Sequence, residues 1–252
     1  MGVGTSSIAW DDLERRVGAP LESRRLYRQS ELTGGLSTLE RENVTAGRQT
    51  VVSWQPTSVD QREALVEGST NPAIETWLGD YPPDADVVAI MGHEPTAHNK
   101  RLIWPDASTY LAGVDRFWEA LRAVNKDRDR RIRLWGCHIP WHARTGETRG
   151  WFSEKWRGCA WDGYDWFGTC PDPSGIYGTA FQQTHDLGLR VAIAEFGSDL
   201  VNDDTGRANT GRAEWIGRVR DYAESNEAAF VLYWDNSNWL LKTDAEFKAL
   251  TP

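Results

Sequence analysis

The strongest constraint on the fold is a rhythm: strand-length apolar runs recur along the whole chain, separated by longer segments with helical spacing. The runs are Gly2–Thr5, Arg24–Arg28, Gln49–Trp54, Asp86–Gly92, Ile132–Cys137, Ala160–Tyr164, Arg190–Phe196 and Ala229–Trp234. Stretches such as Val87-Val88-Ala89-Ile90 and Val191-Ala192-Ile193-Ala194 lack polar alternation, which is how strands buried on both faces read. Between them, Trp10–Val17 starts acidic and is stopped by Gly18, while Ala107–Val124 places Leu111, Val114, Phe117, Trp118, Leu121 and Val124 at a helical period. Asn209–Ser225 repeats that pattern with Trp215, Ile216, Val219 and Tyr222, and Glu246–Leu250 predicts a short closing helix. Strands that alternate with helices pair in parallel, because a parallel neighbour needs a long crossover. Eight such strands in 252 residues predict an α/β chain folded as one (β/α)8 barrel, a single domain over residues 1–252 with no linker or repeat.

Composition narrows the partners. A formal net charge of −9 opposes nucleic acid, which needs clustered cations. The basic stretch Lys126–Arg131 is interrupted by Asp127 and Asp129 and reads as a solvated helix end. No run approaches the roughly 18 apolar residues that span a membrane. Met1–Trp10 lacks the basic start and apolar core of a secretory leader; either the sequence is trimmed or export takes another route, and the expected location is extracellular or within a phage particle. Cys137, Cys159 and Cys170 form no metal pattern. Cys137 reads as a buried thiol, and Cys159 and Cys170 are either bridged, in an extracellular setting, or free. His138 and His142 have the spacing of a helical zinc pair, but Pro140 between them argues against a helix. No metal or cofactor is expected, and the protein is expected to be a monomer.

Fourteen tryptophans exceed what a core of this size needs and suit sugar rings, whose apolar C–H faces lie on flat indoles. Two glutamates then stand out. Glu94 follows the run ending at Met91-Gly92 and sits between His93 and Pro95, while Glu195 ends the run Val191–Ala194 and precedes Phe196. In a barrel the C-terminal strand ends carry the chemistry, and these glutamates end the fourth and seventh strands. Splitting a glycosidic bond needs one carboxylic acid to protonate the leaving oxygen and one carboxylate to attack the anomeric carbon or activate water.

His93-Glu94-Pro95 together with Ile193-Ala194-Glu195-Phe196-Gly197 resembles clan A glycoside hydrolases. The histidine before the first glutamate is most similar to glycoside hydrolase family 26, the β-mannanase-like group. Val51–Pro56 resembles that family's third strand, Arg133–Gly136 its fifth with Trp135 in place, Trp161–Trp166 its sixth, and Phe230–Trp234 its eighth. The resemblance implies a retaining endo-β-glycosidase with Glu94 as acid/base and Glu195 as nucleophile. It implies that Tyr164 bonds the nucleophile, where a phenol donor would hold the carboxylate and lower its pKa, and that Trp234 floors the site. Its substrate is β-mannan-like or a bacterial cell-wall or capsular glycan. His93, Trp54, Trp135, His138, Tyr164 and Trp234 are the expected substrate-binding residues. Trp141, Trp151, Trp166 and Trp239 lie in segments expected at the rim, where distant sugar units bind. The alternative is a carbohydrate-binding protein without activity on a degenerate hydrolase barrel, which would need neither glutamate.

Overall fold

The computed structural model describes residues 1–6, 9–28, 31–32, 34–236 and 239–251. In chain order the elements are β1 (Gly2–Ser6), α1 (Trp10–Val17), β2 (Ser23–Tyr27), α2 (Thr38–Thr45), β3 (Gln49–Trp54), α3 (Val59–Glu67), α4 (Asn71–Gly79) and β4 (Val87–Met91). They continue with α5 (Ala107–Val124), β5 (Arg133–His138), α6 (Pro140–Thr145), β6 (Gly158–Asp165), α7 (Pro173–Asp186) and β7 (Arg190–Ser198). A short antiparallel pair, β8 (Val201–Asn202) and β9 (Arg207–Ala208), precedes α8 (Arg212–Ser225), β10 (Val231–Asp235) and α9 (Asp244–Lys248). The eight long strands close into a parallel barrel in the order β1-β10-β7-β6-β5-β4-β3-β2, with helices in the crossovers, which is the (β/α)8 architecture.

The chain divides into two compact units, residues 26–159 and residues 1–25 with 160–252. In the first, β3 and β4 keep unbroken register from Thr50 opposite Val87 to Trp54 opposite Met91, and every residue of β4 is buried. The apolar stripe of α5 supplies Phe117, which stacks on Trp54 and meets Trp77 edge-on. Tyr110 on the same helix donates its hydroxyl to the Met91 carbonyl at 3.1 Å. Glu40 is 1% exposed yet fully occupied: it closes a capping box with Ser37, pairs with Arg28 at 2.6 Å, and accepts from Trp77 and Tyr81. Such saturation is what lets a carboxylate stay inside, and these bonds outweigh burial and lower its pKa.

In the second unit β10 lies between β1 and β7, with Leu232 opposite Gly2 and Val231 opposite Ile193. A side chain at Gly2 would run into the Ser23 carbonyl, so close strand approach explains glycine there. Helix α8 buries Trp215 beside Phe196, and Arg212, 2% exposed, pairs with Glu246 at 3.0 Å and donates to Tyr233, Trp239 and Leu240. From α7, Tyr177 donates to the Gly163 carbonyl, and Thr184 accepts from the indole of Trp161.

Several expectations need correction. Helix α8 begins at Arg212 rather than Asn209, because Asn209 spends its side chain on Ser198, Asp199 and Gly211. Helix α9 begins at Asp244, where Thr243 and Glu246 form a capping box. Pro140 opens a helix instead of preventing one, since the first helical position needs no N–H. The Lys126–Arg131 stretch is more than a solvated end: Arg128 donates to the carbonyls of Tyr81 and Pro82, and Arg130 pairs with Asp86 at 2.5 Å. The cysteines need no correction: Cys137 is the buried thiol expected, and Cys159 and Cys170, read as either bridged or free, are free, Cys159 buried on β6 and Cys170 3.3 Å from Asn209 Oδ1.

Candidate active site

Two separate constellations form at the C-terminal ends of strands, one in each unit. In the unit of residues 26–159, β4 ends at Met91 and the chain turns through Gly92, at φ +64°. Its N–H donates to the Trp54 carbonyl at 2.8 Å, and a side chain there would press on the ring of Tyr110. Glu94 follows at φ +52°, one of three non-glycine residues described in the left-handed region. That conformation costs a β-carbon-bearing residue about 1 kcal/mol or more. It is held by the Glu94 N–H donating to the Cys137 carbonyl of β5 at 2.9 Å and by its own carbonyl accepting from Ala97 at 3.0 Å. Glu94 and His93 are half-buried. Lys100 senses the charge of Glu94, although burial dominates and lowers the lysine's pKa.

His93 meets the ring of Tyr27 edge-on, with centroids 5.3 Å apart. Both line a cavity of about 340 Å³ together with Ser53, Trp54, Gln55 and Thr57. Arg28 forms a fixed part of that wall, tied to Glu40 and to the carbonyls of Gly34 and Gly35. The side-chain oxygen of Gln55 is buried and accepts no hydrogen bond among the described residues, an acceptor that a hydroxyl-bearing ligand would satisfy.

In the other unit Glu195 lies within β7 and is 8% exposed. Its Oε1 pairs with Arg25 Nη1 at 3.0 Å, and its Oε2 accepts a short hydrogen bond from the Tyr164 hydroxyl. Arg25 and Asp162 are fully buried at the side chain and paired at 2.7 Å. Tyr164 was expected to lower the pKa of Glu195. Burial wins instead: it raises the pKa to about 7, against the pull of Arg25. Trp239 covers the Tyr164 ring at 4.5 Å and packs on Gly197, while Trp234 is half-buried against Gly4.

The structure therefore gathers Glu195 with Tyr164, and Glu94 with His93. Other expected binding residues are packed away. Trp54 is 2% exposed and stacked on Phe117, and Trp135 is 1% exposed. His138 is fully buried beside Phe152 and Trp156, and burial lowers its pKa to about 3. It ends β5 while His142 lies in α6 and meets Thr96 at 2.6 Å. Among the described residues no three His, Cys, Asp or Glu side chains could hold a metal ion, and no helix is long and apolar enough to cross a membrane. The sequence reading missed Arg25, Asp162, Tyr27 and Gln55. A lone aspartate inside the run Cys159–Tyr164 was the one legible hint, because a buried carboxylate demands a buried cation.

No protein-family profile and no curated protein sequence matches the chain. Solved structures do. Thermotoga maritima Cel5A in complex with mannotriose aligns over 99% of this chain and 96% of its own, at TM-score 0.64 and 11% identity. A GH26 β-mannanase from Bacteroides ovatus aligns over 94% and 79%, at 0.62 and 13%. A GH128 endo-β-1,3-glucanase from Amycolatopsis mediterranei, in complex with laminaritriose, aligns over 98% and 96%, at 0.56 and 12%. These neighbours are glycoside hydrolases of different families. Likeness at such identity is one of fold, and it does not single out family 26.

Proposed function

We propose that the chain is one catalytic domain of a retaining endo-β-glycosidase, with Glu195 as nucleophile and Glu94 as acid/base. The observation that carries this is the setting of Glu195: a carboxylate buried in the C-terminal half of a barrel strand, oriented by a buried arginine and a tyrosine hydroxyl. A carboxylate kept only for stability has no reason to sit at the face where barrel enzymes do chemistry. Glu94, held in a strained backbone conformation at the end of β4, supplies the second carboxyl that glycoside hydrolysis requires. The glycan neighbours support a β-linked polysaccharide as substrate, with β-mannan or a cell-wall or capsular glycan as the class we favour.

In the first step a Glu195 oxygen bonds the anomeric carbon while the glycosidic C–O bond breaks, and Glu94 gives its proton to the departing oxygen. In the second, Glu94 takes a proton from water, whose oxygen displaces Glu195 from the anomeric carbon. Glu195→Ala should lower kcat by about 10⁴-fold or more while circular dichroism stays that of the wild type. Glu94→Ala should lose activity on polymer but retain it on an aryl glycoside with an activated leaving group, which needs no proton. Near-normal turnover by Glu195→Ala would sink the mechanism. Tight glycan binding by the wild type, with no product at long incubation, would favour the non-catalytic binder.

A further inference from the structure

Two large rings stand in water just past Tyr164. Trp166 is 57% exposed and Phe167 64%, at the exit of β6 and within three residues of the tyrosine that bonds Glu195. An accidental exposed ring is ordinary on a mobile loop. This turn is built. Asp165 accepts from the N–H groups of Thr169 and Cys170 and from the Ser198 hydroxyl. The Phe167 carbonyl accepts from Asp203, the Gly168 carbonyl from Asn202, and a side chain at Gly168 would collide with the Val201 carbonyl. The β8–β9 pair thus braces the turn from behind.

The rings also continue inward without a break. Trp166 meets Trp239 edge-on at 4.9 Å, and Trp239 covers Tyr164. Trp239 is fixed in turn: its carbonyl accepts from Tyr233 at 2.6 Å and from buried Arg212, and its ring rests on Gly197, two residues past Glu195. A braced set of flat apolar faces leading away from a carboxylate matches a ligand with apolar faces and neutral polar edges, which is a sugar chain. We propose that Trp166, braced through Trp239, and Phe167, on the turn that Asp165 and Asp203 hold, form a binding platform for a β-linked sugar unit away from the cleaved bond. The identity of the occupant rests on the glycosidase reading; the existence of the platform does not.

The test uses the full chain carrying Glu195→Gln, so that binding is read without turnover, titrated calorimetrically with mannohexaose, cellohexaose and the matching disaccharides. Trp166→Ala and Phe167→Ala, singly and together, should weaken hexaose binding by about tenfold for each ring. The loss for a disaccharide should be much smaller, a difference that a general folding defect would not produce. Trp166→Tyr, which keeps an aromatic face, should restore part of the affinity. Hexaose affinity equal to the parent in the double variant overturns the platform and leaves the glycosidase reading standing. Chain-length-dependent loss without hydrolysis of any of these glycans by the wild type upholds the platform and removes the glycosidase reading. A concentration-dependent dimer that the double variant abolishes, at unchanged hexaose affinity, assigns the patch to self-association and overturns the proposal. A parent protein that binds none of the four probes overturns it as well.

Discussion

Arg25 carries more of the candidate site than its place in the sequence suggests. Its guanidinium is shared between Asp162 and Glu195, and all three side chains are buried. Removing it by Arg25→Met would strand Asp162 without its cation, which should destabilise the protein by about 3–5 kcal/mol in urea unfolding. It would also push the Glu195 pKa further up, because Arg25 is the group that pulls it down. Attack on a sugar needs Glu195 ionised, so with a pKa of about 7 the acid limb of kcat/KM should fall near neutral pH. Tyr164→Phe removes a hydrogen bond to the charged form and should move that limb upward, read as a shifted pH profile. The stability sign is opposite. A carboxyl whose folded pKa lies above its unfolded value of 4.5 contributes most below that value and loses its contribution as pH rises through about 7. Between pH 4 and pH 8 the stability of Glu195→Gln should therefore gain on the wild type by roughly 3 kcal/mol, measured in urea at both pH values. Tyr164 and Glu195 could be named from sequence because each sits in a recognisable strand-end pattern. Arg25 could not, since Ser23-Arg24-Arg25-Leu26-Tyr27 does not show which arginine turns inward.

Element by element, legibility followed the strength of local signals. Helices Trp10–Val17 and Ala107–Val124 were delimited correctly, the first by its glycine stop at Gly18, the second by five turns of apolar periodicity ahead of an asparagine. Helices α2, α3, α4, α6 and α7 were not delimited, as their apolar stripes are short and interrupted by polar residues such as Glu42, Gln61 and Gln182. In α6 a proline was read as a breaker when it was a start. The strands were legible because burial on both faces leaves little choice of side chain: Gln49–Trp54 is unchanged and no strand end moved by more than two residues. Strand β6 illustrates what packing adds: a β-carbon at Gly163 would lie 2.6 Å from the ring of Tyr177, whose hydroxyl bonds the Gly163 carbonyl. Gly163→Ala should cost about 1–3 kcal/mol through overpacking, seen as a lowered Tm, and pairing it with Tyr177→Phe should not recover the full loss, because the ring carbons at 2.6 and 2.8 Å remain in the way.

For the whole molecule, eight parallel strands close into one barrel with helices in the crossovers. The fold class followed from the strand–helix rhythm, whereas the sugar and its linkage did not, because stereochemistry is read by loop geometry that no single motif encodes. A mechanism run by two carboxylates needs no Lewis acid, so hydrolysis should be unchanged in excess chelator, measured as reducing ends released with and without it. The central claim is double displacement on Glu195, and its most direct test is the anomer released first. The measurement is proton NMR during the opening minutes of hydrolysis, on whichever of β-mannan, a bacterial cell-wall glycan or a capsular glycan is cleaved. Initial release of the β-anomer, mutarotating later to the α-form, is the predicted result. Initial release of the α-anomer would mean inversion and contradict a covalent intermediate on Glu195, and no release from any of the three would contradict the glycosidase itself.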